Sequence, residues 1–147
     1  MAATQPTLTA NRAELPDPTF QAFTLLRVAF TAAPILFGLD KFFDLMVDWP
    51  TYLWSGVAST LPGSAQQIML VVGVIEIVAG VLVAVRPRIG GLVVAAWLAG
   101  IIVNLLLVGD FYDVALRDFG LLLGALTLAR LASVSPTQTP AIGPVRR

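Results

Sequence analysis

The chain contains no cysteine and no histidine. Without thiols it has no disulfide relay and no cysteine ligation of an iron–sulfur cluster. Without imidazole it has no histidine-ligated haem, and the commonest zinc ligands are missing. Any electron-carrying group in a redox role would therefore belong to a partner, and no cofactor is held covalently or through His or Cys. Charge is also scarce. Only 12% of residues are charged, nine basic against nine acidic, for a formal net charge of zero. No basic stripe points to nucleic acid. There is no phosphate-binding glycine loop, no nucleophile elbow, no dinucleotide-binding glycine pattern and no metal-ligand spacing. No catalytic residue can be named, and the chain is not expected to be catalytic alone.

What it has in excess is apolar sequence, 57% of 147 residues. Four runs approach bilayer-spanning length: Phe20–Leu39, Ile68–Val85, Ile89–Val108 and Tyr112–Leu131. A spanning helix needs about 20 mostly apolar residues. The third run has no charge in 20 residues, which a buried soluble core does not explain. The expected fold is an all-α membrane protein, a four-transmembrane-helix antiparallel bundle with a short interfacial helix between helices one and two. Residues 1–19 read as a polar cytoplasmic segment rather than a signal peptide, 20–131 as the membrane domain, and 132–147 as a disordered tail rich in Pro, Thr and Ser.

The charges sort by side. With alternating helices, Arg12, Arg86, Arg88, Arg130, Arg146 and Arg147 flank one face. Asp40, Asp44, Asp48, Asp110 and Asp113 flank the other, with Lys41 as the main exception. Short basic loops stay in the cytoplasm, so both termini are expected inside a multi-pass protein.

Pro34 inside the first run predicts a kink. The connection from Asp40 to Gln67 is crowded with aromatics. Trp49, Tyr52 and Trp54 favour the headgroup level, and a helix near Pro50–Thr60 would put Trp49, Leu53 and Val57 on one face. It lies on the membrane or dips into it, as an anchor or as a lid. Arg86-Pro87-Arg88 leaves room only for a tight hairpin. Gly120 and Gly124 give a small-residue spacing suited to packing within the bundle or to a dimer.

Ionisable residues inside spans are costly and mark candidate sites. At a rise of about 1.5 Å per residue, Arg27 and Glu76 lie about 10 and 14 Å from the cytoplasmic boundary. They are expected to pair, either as a lock between helices or as part of a proton or ligand site. Alternatively Arg27 snorkels alone. A second cluster gathers near the outer face: Asp40, Lys41, Asn104, Asp113, Arg117 and Asp118. Asp118 is expected to meet Lys41, and Arg117 to meet Asp40 or Asp113, forming an interface-level network or a polar mouth below Trp97 and the aromatic loop.

From about Leu26 to Leu131 the layout resembles the DoxX-like family of small four-helix membrane proteins. The resemblance rests on Leu26-Arg27, on Gly38-Leu39-Asp40-Lys41-Phe42, on Gly73-Val74-Ile75-Glu76-Ile77-Val78-Ala79-Gly80, and on Leu116-Arg117-Asp118-Phe119-Gly120-Leu121-Leu122. It implies a bacterial inner-membrane accessory subunit of a redox or respiratory complex. Partner subunits are then expected beside the lipid bilayer, and quinone is the one cofactor left open. A related group assists maturation of redox enzymes and would be expected to use cysteines, which this chain lacks. Two other readings stand beside it. One is a small homodimeric transporter, similar in outline to the small multidrug resistance transporters but with its Glu in the second helix rather than the first. The other is a structural or assembly factor.

Overall fold

Pro18 supplies a fixed φ and lacks the N–H that a first-turn residue would leave unbonded, and α1 begins there, spanning Pro18–Phe43. It is one element through Pro34. It stops where Asp44 takes a left-handed conformation and its N–H closes on the Asp40 carbonyl. This computed structural model describes residues 17–134. The readings of residues 1–16 and 135–147 lie outside the described residues.

A short 3-10 turn, Trp49–Tyr52, and a six-residue helix, α2 (Ser55–Thr60), follow. The single helix expected over Pro50–Thr60 is thus two pieces. Leu53 and Trp54 are extended between them, so Trp49, Leu53 and Val57 do not share one helical face. α3 (Ala65–Val85) starts at a capping box, in which Ser64 accepts from the Gln67 N–H and Gln67 accepts from the Ser64 N–H. That arrangement satisfies two amides that lipid could not. Only Arg86 separates α3 from α4 (Pro87–Val108). Gly109, at φ 89°, ends α4, and α5 covers Tyr112–Leu131. The described residues contain helices and turns, with no strand.

Three helices, α1, α3 and α4, are long and apolar enough to cross a membrane. α5 has 20 residues but carries Asp113, Arg117, Asp118 and Arg130, which sets it apart. Large apolar side chains face outward all around, among them Leu25, Leu36, Val71, Val78 and Leu116. That inverted surface fits a lipid bilayer.

The interior mixes alanine and valine with a few large side chains. Phe30, Ala79, Val83, Val94, Ala95, Ala125 and Leu128 form its core. α1 and α3 approach closely at Gly38 and Gly73, where a Cβ on Gly38 would lie 2.6 Å from the Gly73 carbonyl oxygen. Further along, Gly80 packs on the Thr31 carbonyl and Arg27 reaches Ala84. Contacts therefore fall along α1 as they rise along α3. This register places the polar side chains.

Candidate functional site

Lys41 sits in the last turn of α1 and Glu76 near the middle of α3. With the Gly38–Gly73 contact between them, the Lys41 Nζ donates to Glu76 Oε2 at 2.7 Å. The pair is buried, its side chains 3% and 10% exposed. Removing two charges from water is costly, and their attraction offsets this only with good geometry and satisfied neighbours. Here the neighbours are supplied. The Lys41 ammonium lies 3.6 Å from the centre of the Trp49 ring, a cation–π contact. The same indole donates from Nε1 to Asp40 Oδ2 at 2.8 Å. One tryptophan thus covers two adjacent charged residues.

Asp40 is also buried. Its Oδ1 accepts from the N–H groups of Leu45 and Met46 at 3.1 and 3.2 Å. Together with the Trp49 indole, these neutral donors hold the carboxylate without a cation. They also fold the chain after α1 back over the helix end.

A second latch holds the far side of this strap. Asn104, from α4, donates to the Tyr52 carbonyl at 2.6 Å and accepts from the Trp54 N–H at 3.0 Å. Tyr52 stacks on Phe111, ring centroids 4.3 Å apart. Gln66 donates to Asp44 across the strap's base. No residue of the 3-10 turn or α2 is buried, so hydrogen bonds carry much of the closure. Asn104→Ala is expected to speed amide deuterium exchange at Trp54 about tenfold or more, two bonds being worth about 1–3 kcal/mol, while α3 exchanges as before. Unchanged exchange at Trp54 would show that the aromatic contacts alone hold the strap.

Below the Lys41–Glu76 pair, Trp97 of α4 lies beside the Glu76 carboxyl, its Nε1 buried without a hydrogen bond of normal geometry. Asp118 of α5 is buried within electrostatic reach of Glu76. Its ion-pair contact is Arg117 Nε at 3.7 Å, from a side chain 68% exposed. The cluster thus gathers Asp40, Lys41, Glu76 and Asp118 from three helices. Among the described residues no set of three or more Asp or Glu is arranged to hold a metal ion.

Several expected pairings are corrected. Arg27 does not meet Glu76, because its guanidinium donates to the Ala84 carbonyl. Ala84 is eight residues further along α3 than Glu76, about 12 Å at helical rise. Lys41, entering from the other end of α1, takes the carboxylate. Asp118 therefore does not pair with Lys41. Arg117 pairs with its own neighbour Asp118 rather than with Asp40 or Asp113. Asp113 is exposed and joins no ion pair among the described residues. Of the expected outer cluster, Asp40, Lys41 and Asp118 gather at Glu76, while Asn104 serves the strap. Trp49 is part of the site rather than only an interfacial aromatic, and Tyr52 and Trp54 supply the backbone groups that Asn104 binds. The sequence reading sets Trp97 over the outer polar cluster; the structure places it beside the Glu76 carboxyl.

Compared with protein-family models, curated proteins and solved structures, the chain finds no match.

Proposed function

We propose that this protein is an accessory subunit of a quinone-linked redox or respiratory complex, with no redox centre of its own. In this reading it is a DoxX-like protein of the bacterial inner membrane. α5 is the fourth span, neighbouring spans run antiparallel, both termini face the cytoplasm, and the strap lies at the outer surface. The observation that supports the reading is the convergence of three separated segments. Gly38–Phe42, Gly73–Gly80 and Leu116–Leu122, which carry the resemblance, bring Lys41, Glu76 and Asp118 into one buried cluster. A transporter needs a carboxylate free to exchange its load, and Glu76 is engaged by Lys41. That weighs toward the subunit reading.

Quinone would enter from lipid along the open groove of about 430 Å³ beneath the strap. Leu36, Phe37, Phe43, Leu45 and Met46 line it, and Asp40 contributes to its wall. This volume suits a ring and the start of its tail. Photolabelling the complex with an azidoquinone is expected to mark peptides within Leu36–Met46, and labelling confined to partner chains would remove quinone binding from this subunit. For the function itself, Glu76→Gln is expected to lower the quinone-reductase activity per assembled complex, beyond the fall in subunit abundance that loss of the buried pair brings. A fall in abundance with specific activity intact would favour an assembly factor. Normal redox activity with lost proton-coupled uptake in proteoliposomes would favour the transporter.

A further inference from the structure

At the end opposite the strap, four arginines come from four parts of the fold. Arg27 of α1 reaches the Ala84 carbonyl near the end of α3. Arg86 is the single residue between α3 and α4, and Arg88 lies in the first turn of α4. One turn on, Gly91 packs against α5, where a Cβ would meet the Ala125 carbonyl oxygen at 2.9 Å and the Ala129 nitrogen at 3.1 Å. This brings Arg130, in the last turn of α5, beside the start of α4. All four side chains are exposed. Among the described residues none of Arg27, Arg86, Arg88 and Arg130 joins an ion pair. Asp17, at the start of α1, is the described carboxylate at this end, whereas Asp44, Asp48, Asp110 and Asp113 lie at the other.

The backbone there has the same sign. Pro87 opens α4 and Arg86 gives no side-chain cap. The amides of Arg88 and Ile89 are left without an intrahelical acceptor, at the positive end of the helix dipole. Just inside this ring, Val85, Ile89 and Leu92 are exposed by 69%, 46% and 51%. Guanidinium groups bind phosphate oxygens in bidentate fashion, and apolar side chains below them would meet acyl chains.

We propose that this end of the bundle is a binding site for the phosphate of an anionic phospholipid, held by Arg86, Arg88 and Arg130 over the start of α4. Arg27, tied to α3 through Ala84, flanks the site. The apolar rim formed by Val85, Ile89 and Leu92 assigns the phosphate to a lipid rather than to a free anion.

Native mass spectrometry of the full chain in mild detergent tests this, using phosphatidylglycerol and phosphatidylcholine with identical acyl chains. The wild type is expected to retain phosphatidylglycerol over phosphatidylcholine by about tenfold or more, given the usual attraction per arginine near a lipid surface. The triple variant R86Q/R88Q/R130Q is expected to retain both equally. Arg117→Gln, at the other end, is expected to keep the wild-type preference. The same preference in the triple variant would overturn the site, and equal loss in Arg117→Gln would reduce it to net charge. Displacement of the lipid by excess inorganic phosphate would assign the arginines to a free anion and overturn the lipid assignment. If the triple variant loses its size-exclusion peak, Arg88→Gln and Arg130→Gln alone are each expected to lower the preference severalfold, and no change in either would contradict the proposal.

Discussion

Lys41→Met is expected to destabilise the protein by about 3–5 kcal/mol, because it leaves Glu76 charged, buried and without its cation. The effect is large because the burial is nearly complete on both sides, 3% and 10% exposure. Two losses add to it, since Trp49 also loses the ammonium 3.6 Å from its ring and with it part of the strap's hold. The double variant K41M/E76M is expected to recover most of the loss, since an apolar pair of similar volume removes both desolvation costs. Unfolding in mixed micelles, followed by helical circular dichroism, reads all three proteins. A Lys41→Met protein as stable as wild type would mean that Glu76 finds another partner or is not buried as described. A double variant no better than the single would show that the pair contributes specific geometry beyond neutralisation.

The second large effect is expected at the α1–α3 crossing. Gly73→Ala is expected to cost about 1–3 kcal/mol by overpacking, because a Cβ there would lie 2.7 Å from the Gly38 carbonyl oxygen and 3.2 Å from the Lys41 Cβ. Neither atom can retreat without separating the helices and lengthening the Lys41–Glu76 bond. Gly100→Ala is the control. Nothing lies within 4 Å of a Cβ built there, so its change is expected to stay within about 0.5 kcal/mol. Equal losses at both glycines would refute the close crossing. A neutral Gly73→Ala would do the same.

These two sites also show what the sequence could reveal. Three membrane-length helices were legible because long apolar runs flanked by proline, glycine and charge leave few alternatives. Their starts were placed a few residues late. α1 begins at Pro18, before Phe20, and α3 begins at Ala65 behind the Ser64-x-x-Gln67 box, before Ile68. That box was a readable signal for the start of α3. The fourth run has about the same length as the others, and its charges leave α5 outside the three helices apolar enough to cross a membrane by composition.

The site was half legible. Asp40, Lys41, Glu76 and Asp118 stood out as ionisable groups in apolar surroundings. Their pairing did not, because counting depth from the ends of runs cannot fix the register between helices. That register follows from contacts such as Gly38 on Gly73 and Gly80 on Thr31, which are visible only after packing. Asn104 was singled out as a polar residue, yet it binds backbone groups of Tyr52 and Trp54, which have no side-chain signature. Trp49 joins Asp40 and Lys41 because the strap turns back over them, and no spacing in the sequence encodes that return.

The most direct test of the proposed role is purification from the native membrane in mild detergent, with identification of the accompanying chains and a visible redox spectrum. The account predicts stoichiometric partner chains that carry haem or flavin absorbance. A colourless homo-oligomer without partners would contradict it.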